Sequence, residues 1–318
     1  MCRSEGIKNV HYLLLGNLYF APMLHHPAEI PDLKTLARRI SLVENEAPGY
    51  TQLLEQLPAG SPTRVIGITG PPGAGKSTLV NTLIQTLVDQ QKRVAIIAVD
   101  PSSPFNFGAL LGDRIRMSQH FNNEQVFIRS MANRGALGGL SPKIIEVSDV
   151  IKAAGFDYLF IETVGVGQSE VDIAGIASTT VVVVVPEAGD EIQTMKAGLM
   201  EIADIFVVNK ADRDNADAFV KNLRLLSAER HHNTGWQIPV LKTIATRNEG
   251  MHELIQAIDR HQQQMDHKER HALLLTEKAW HLIQHRRMHD VNKRELQQQI
   301  LRELEGGTFN LYKLVNNW

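Results

Sequence analysis

The stretch Gly70-Pro71-Pro72-Gly73-Ala74-Gly75-Lys76-Ser77-Thr78 constrains this chain more than any other. It follows the apolar run Val65 to Thr69 and precedes Leu79, Leu83, Ile84 and Leu87, which recur at helical spacing. A strand, a glycine-rich loop and a helix in that order form the setting of a phosphate-binding loop. Glycines let the backbone curl until its N–H groups face one centre, and the new helix aims its positive end at the same point. Gly70, Pro72, Gly73, Ala74, Gly75, Lys76, Ser77 and Thr78 are therefore expected to line a nucleoside triphosphate site. Lys76 would reach the β- and γ-phosphates, and the Ser77 hydroxyl would hold Mg²⁺.

The sequence around the loop alternates short apolar runs with helical patterns. Arg93 to Val99, Val126 to Arg129, Tyr158 to Ile161, Thr180 to Val185, Ile205 to Val208 and Ile238 to Leu241 read as strands, several without polar alternation, as strands buried on both faces would be. Helical patterns begin at Pro142 and lie around Val171 to Ala177, Ile192 to Ile202 and Ala216 to Glu229. This order predicts an α/β fold with a mostly parallel sheet whose strand carboxyl ends collect the ligand. Helical extensions flank it. Leu33, Leu36, Ile40 and Val43 mark an N-terminal helix, closed off by the Pro58 to Pro62 linker, and helical patterns run from Met251 almost to the end. The expected divisions are an extension and helical element over 1–60, the phosphate-binding domain over 61–258 and a helical element over 259–318. The last would bury Leu273, Leu274, Leu275, Trp280, Leu282 and Ile283 against the domain or against a second copy.

Asn209-Lys210-Ala211-Asp212 follows the strand Ile205 to Val208. An Asp carboxylate there can accept N1–H and N2–H₂ of guanine, a donor pair that adenine lacks. Asn209 would meet the other edge of the ring and the Lys210 stem would cover its face. The nucleotide is thus read as GTP or GDP. Glu162-Thr163-Val164-Gly165 ends another buried strand: Glu162 is placed to hold Mg²⁺ through water, and the Gly165 N–H to meet the γ-phosphate. Asp100, at the end of the strand after the loop helix, and Asp113 are further acidic candidates for the same centre. Val166 stands where a glutamine would orient the attacking water, which predicts slow intrinsic hydrolysis. Asp190 with Gln193 reads as a capped helix start or as a nucleotide-responsive loop.

Composition bounds the remaining classes. Lys and Arg number 33 against 35 Asp and Glu, so no bulk charge calls for nucleic acid or an anionic membrane. The apolar stretches are too short or too interrupted to span a bilayer. Cys2 is the single cysteine, which excludes an intramolecular disulfide framework and suits a reducing, cytoplasmic setting. His281, His285 and His289 share one helical face without acidic or cysteine neighbours and read as surface residues.

Val99-Asp100-Pro101-Ser102-Ser103-Pro104, Leu111-Gly112-Asp113-Arg114-Ile115-Arg116-Met117, Glu162 to Glu170 and Gly189-Asp190-Glu191-Ile192-Gln193 together resemble the MeaB/ArgK family of P-loop GTPases. Leu42-Val43-Glu44 resembles the family's N-terminal segment, with Ser41 in place of its usual Thr. The resemblance runs from about Asp32 and weakens in the last helices. It implies a homodimeric GTPase that chaperones an adenosylcobalamin-dependent methylmalonyl-CoA mutase, gating cofactor loading and protecting the mutase. The family's phosphate lysine falls on Lys76, its Mg²⁺ and switch acids on Asp100, Asp113 and Glu162, and its switch III lysine on Lys196. Its guanine-supporting Ser-Ala falls on Thr243-Ile244-Ala245, which makes Thr243 and Ala245 the matching candidates. Asn106-Phe107-Gly108-Ala109 replaces the family's paired glycines. Nickel-delivery GTPases and the transport-linked kinase label of ArgK proteins are the alternatives; the first carry cysteine ligands that this GTPase core lacks.

Overall fold

The computed structural model describes residues 31–58, 60–100, 117–132, 140–164, 169–186, 198–228, 236–264, 268–288 and 290–316. Its centre is a sheet of seven strands: β1 (Arg64–Thr69), β2 (Val94–Asp100), β3 (Val126–Ala132), β4 (Tyr158–Glu162), β5 (Thr179–Val184), β6 (Ile205–Asn209) and β7 (Val240–Thr243). The order is β3-β2-β4-β1-β5-β6-β7, and every pairing is parallel. The expected α/β class and parallel sheet are what the chain forms.

Helices cover both faces, which is why the inner strands lack polar alternation. On one face, α3 (Lys76–Asp89) and α8 (Met251–Gln264) bury Leu79, Leu83, Leu254 and Ile258 against Ile66, Ile68, Val181 and Val207. The opposite face packs Val182, Val184, Phe206 and Val208 against Phe219, Val220 and Leu223 of α7 (Ala216–Ala228) and Leu199 of α6 (Leu199–Ile202). Thus alternate residues of β5 and β6 enter different cores. Gly67 in β1 permits one close approach: a Cβ there would lie 2.4 Å from Ile173 Cγ1, in the 3₁₀ turn Ile173–Gly175 that follows α5 (Ser169–Asp172).

The N-terminal helical element comprises α1 (Leu33–Glu44) and α2 (Tyr50–Glu55). Asp32 caps α1 by accepting from the Lys34 and Thr35 amides at 2.8 and 2.9 Å. Leu36, Ile40 and Val43 form its buried stripe, and the helix packs on α4 (Ile144–Ala153). Ion pairs reinforce that contact. Glu44 takes the Arg129 guanidinium of β3, and Lys143 lies 2.5 Å from Glu46 Oε1 and 3.0 Å from Glu146 Oε1. Burial pulls the Lys143 ammonium toward the neutral form, but the hydrogen bonds it donates to Glu46 and Glu146 outweigh it and its pKa is raised.

One strand expectation and one helix expectation shift. β7 occupies Val240–Thr243 instead of Ile238 to Leu241, because Pro239 has no N–H for the ladder, although its carbonyl accepts from Phe206 N at 2.9 Å. Val171 to Ala177 is a single α turn followed by the 3₁₀ turn, not one regular helix.

The chain divides into two compact units, residues 1–274 and 275–318. The first contains the N-terminal helices together with the sheet, and α8 runs through residue 258 to place His261 fully inside. The second contains the end of α9 (Lys268–Arg287), α10 (Lys293–Glu305) and α11 (Leu311–Asn316). Within it Trp280, Ile283, Leu301, Leu304, Leu311 and Tyr312 are exposed. Among the described residues, no helix is long and apolar enough to cross a membrane.

Candidate functional site

The site sits where β1, β4, β5 and β6 end. Beyond β1 the loop turns through left-handed glycines, with φ of 136° at Gly70, 76° at Gly73 and 88° at Gly75. Two of these are also fixed by space. A Cβ at Gly70 would lie 2.0 Å from the Val183 carbonyl oxygen, and one at Gly75 2.5 Å from Asn209 Nδ2. Gly75 is the N-cap of α3. It brings no capping side chain, and the first turn holds no acid, so the leading N–H groups of a fourteen-residue helix face the loop without a competing carboxylate. Pro72, Gly73 and Thr78 are exposed around this concavity, whereas Ala74, Lys76 and Ser77 are buried.

Lys76 folds back over the loop and donates to the Gly70 and Pro71 carbonyls at 2.7 and 3.1 Å. A buried ammonium fixed there lies within the phosphate cradle. The Ser77 hydroxyl donates to Glu162 Oε1 at 2.6 Å, and both residues are buried. That contact joins the first helical turn to the end of β4 and places side by side two oxygens of the kind that could hold a hard cation. Thr163 Oγ1 donates to Thr69 Oγ1 at 3.1 Å and holds the strand ends on either side together. Asp100 is the last residue of β2, in register with Ala132. Asp113, Gly165, Asp190, Gln193 and Lys196 lie outside the described residues.

Asn209, at the end of β6, is only 2% exposed. Its Nδ2 donates to the Ala74 carbonyl at 2.9 Å, while its Oδ1 accepts from Thr243 Oγ1 at 3.1 Å and from Ala245 N at 3.2 Å. The amide ties the loop to the end of β7. The inward direction of the last β6 side chain is the reason. Lys210, at a left-handed φ of 56°, donates to the Gly73 carbonyl at 2.8 Å, so its stem crosses from the β6 end to the loop crest. Asp212 remains partly exposed, with Arg247 Nη2 3.5 Å from its Oδ2. Arg247 closes the 3₁₀ turn Ala245–Arg247 and has no sequence signal of its own. Only the proximity of that turn to the β6 end reveals it.

Lys76, Ser77 and Glu162 therefore form one end of the site, and Asn209, Lys210, Asp212, Thr243 and Ala245 the other. The first end suits phosphates and a divalent cation; the second suits a purine with donors on one edge. Comparison with known proteins decides the family. The family model of the methylmalonyl-CoA mutase-associated GTPase MeaB matches residues 36–299. The chain belongs to the MeaB family.

MeaB-family membership agrees with individual relatives. The chain is 50% identical over 236 residues, 73% of each chain, to a Pyrococcus abyssi protein named as a GTPase. It is 40% identical over 233 residues, 70% of each chain, to GTPase ArgK of Escherichia coli. A mouse protein, the mitochondrial methylmalonic aciduria type A homolog, is 36% identical over 208 residues, 63% of this chain and 49% of its own. Among solved structures, that of an LAO/AO transport system kinase superposes with a TM-score of 0.64 at 27% identity, over 94% of this chain and 96% of its own. The chain is thus a GTPase of the MeaB/ArgK type with the P-loop α/β fold.

Proposed function

We propose that this MeaB-family GTPase hydrolyses GTP with Mg²⁺ and uses the cycle to chaperone an adenosylcobalamin-dependent methylmalonyl-CoA mutase, gating cofactor loading and protecting the loaded enzyme. The observation that carries this reading is the family match across residues 36–299, whose description names the mutase association. Lys76 holds the β- and γ-phosphates, Ser77 and Glu162 hold Mg²⁺, and Asp100 and Asp113 complete the acidic set. Asp212 reads guanine; Asn209, Thr243 and Ala245 keep that end of the site attached to the loop. Gly165 meets the γ-phosphate, and Lys196 is the charge brought to the nucleotide by the partner. Val166 provides no side-chain amide to orient water, so intrinsic turnover is slow and the mutase raises it by completing the transition-state environment.

The working form is a cytoplasmic homodimer, supported by the apolar side chains exposed on α9, α10 and α11. A nickel-delivery role is disfavoured by the single cysteine, Cys2, which precedes the GTPase core. The test compares steady-state GTP turnover, and mutase inactivation during turnover, with and without purified methylmalonyl-CoA mutase. Stimulated hydrolysis and slower inactivation are expected, with stimulation reduced in Lys196→Ala. A mutase that leaves both rates unchanged refutes the chaperone reading. Full stimulation of the variant refutes only the role given to Lys196.

A further inference from the structure

The sheet ends at β7, and its outer side is unpaired among the described residues. The ladder register places Val240 opposite Phe206, with Phe206 N bonded to Pro239 O, so the N–H and C=O of Val240 itself point away from β6. Lys242, two residues on, has the same orientation, although Gly250 packs so closely on its carbonyl that a Cβ there would lie 2.3 Å from the oxygen, which leaves the Lys242 N–H as the outward group. Such an edge is a template for another strand unless it is covered. The only side-chain hydrogen bond to the outward Val240 carbonyl among the described residues is a long one, from Arg224 Nη2 at 3.3 Å.

Two clefts lie along this edge and share Arg224. One, of about 740 Å³, is bounded by α7, by the β7 segment with Trp236 beside it, and by the end of α8 with Arg260. The other, of about 480 Å³, continues past Lys221 and Lys242. Their charge is one-sided. Asp217 lines the second cleft, and Lys242 already binds it at 2.8 Å, which lowers the Asp217 pKa. Asp259, next to Arg260 in sequence, is turned toward Arg64 and Tyr158 instead. Arg224, Lys221 and Arg260 have no acidic partner among the described residues. A chain with a net charge of −2 therefore concentrates unmatched cations beside the open β7 edge.

We infer that the β7 edge is a docking groove for an acidic, extended segment of a partner protein, which adds as an eighth strand with its carboxylates between Arg224, Lys221 and Arg260. Main-chain bonds to Val240 and to the Lys242 N–H supply the register, Trp236 offers an apolar wall, and the cations select the sequence. A second copy of β7 would bring like charges into contact along the same line, so the charge pattern favours a different chain over self-pairing. The groove lies away from the phosphate loop. Binding there requires neither nucleotide nor the mutase reading.

The test uses the full chain and a fluorescein-labelled heptapeptide of alternating glutamate and valine, followed by anisotropy. The acidic peptide is expected to bind, its lysine counterpart not to bind, and backbone N-methylation at alternate residues to abolish binding. Arg224→Glu with Arg260→Glu should weaken it about tenfold or more while GTP turnover stays unchanged, and Arg260→Glu alone should produce a smaller loss in the same direction. The single variant guards against misfolding, because Arg260 is exposed. Equal binding of acidic and lysine peptides, absence of acidic-peptide binding up to millimolar concentration, or affinity unaltered by Arg260→Glu in a chain that melts like the parent would overturn the inference. So would a change in sedimentation on charge reversal, which would assign the edge to a second copy.

Discussion

Replacing Asn209 with alanine should loosen the empty protein, not merely weaken its hold on nucleotide. The side chain makes three hydrogen bonds inside a nearly solvent-free setting: to the Ala74 carbonyl, from the Thr243 hydroxyl and from the Ala245 amide. A neutral hydrogen bond contributes about 0.5–1.5 kcal/mol net, and an abandoned buried partner costs more than a solvated one. Taken together the three predict a loss of roughly 2–4 kcal/mol, since some of the freed groups will find water. For a domain of this size, about 2–4 °C of melting temperature follows each kcal/mol, so the apo melt should fall by roughly 4–16 °C.

The assay is thermal unfolding of the nucleotide-free chain, beside calorimetric titration with GDP. Asn209→Asp sharpens it. An aspartate keeps an acceptor for Thr243 and Ala245 but turns a second oxygen toward the Ala74 carbonyl, so it should recover part of the stability and leave the loop displaced, with GDP binding still impaired. Were Asn209 important only as a contact to the base, both variants would melt like the parent without ligand and differ only in affinity. An apo melting temperature within about 1 °C of the parent for Asn209→Ala would refute the strut argument.

Other expectations rest on single side chains. Lys76→Ala should reduce GTP turnover by at least about a hundredfold in a steady-state phosphate-release assay, because the developing phosphate charge loses its fixed ammonium. Asp212→Ala should weaken GDP by about 1–3 kcal/mol in calorimetry by leaving the guanine donors unpaired, and the parent should bind GDP well above ADP. His120, only 2% exposed, is pushed by burial below its ordinary pKa and stays neutral in the fold, with Gln119 Nε2 3.1 Å from its Nε2. The unfolded chain therefore takes up this proton first, so stability is greatest above the ordinary histidine value and falls as the pH drops below about 6.5. Urea midpoints at about pH 7.5 and 5.5 should differ less in His120→Asn than in the parent; an equal difference in both excludes His120 as a contributor.

The parts of this protein that can be read along the chain are those in which neighbouring residues act together. Gly70 to Thr78 reveals its turn and helix because the glycines and the start of the apolar period are adjacent. Glu162 is readable for the same reason: a carboxylate ends an unbroken apolar strand, and the strand end is where a parallel sheet gathers ligands. Contacts made across the sheet are not readable in this way. Nothing near Asn209 in sequence says that its amide will reach Ala74, and nothing near Asp212 points to Arg247, because both contacts require β6 to lie beside β7 and behind the loop. The β7 boundary itself shifts on a chemical detail, the missing N–H of Pro239, which apolar character at Ile238 conceals.

Glu44 shows how a residue can be noticed before its reason is known. Its Leu42-Val43-Glu44 setting resembles a family segment, yet the periodicity explains only the buried Val43. The fold supplies the rest: β3 is the opposite edge strand of the sheet, and its Arg129 is a half-buried cation that burial alone would disfavour. Glu44 neutralises it from the end of α1, two residues before Glu46 meets Lys143 ahead of α4. Each pair gains little over a well-packed apolar contact, because both partners lose water, but removal of Glu44 would strand Arg129 with its desolvation unrecovered, whereas Lys143 without Glu46 would still keep Glu146. The two acids therefore fix where α1 sits on β3 and α4 more than how stable the domain is. That makes the N-terminal helix a positioned part of the GTPase unit, in keeping with its place in the same compact body as the sheet.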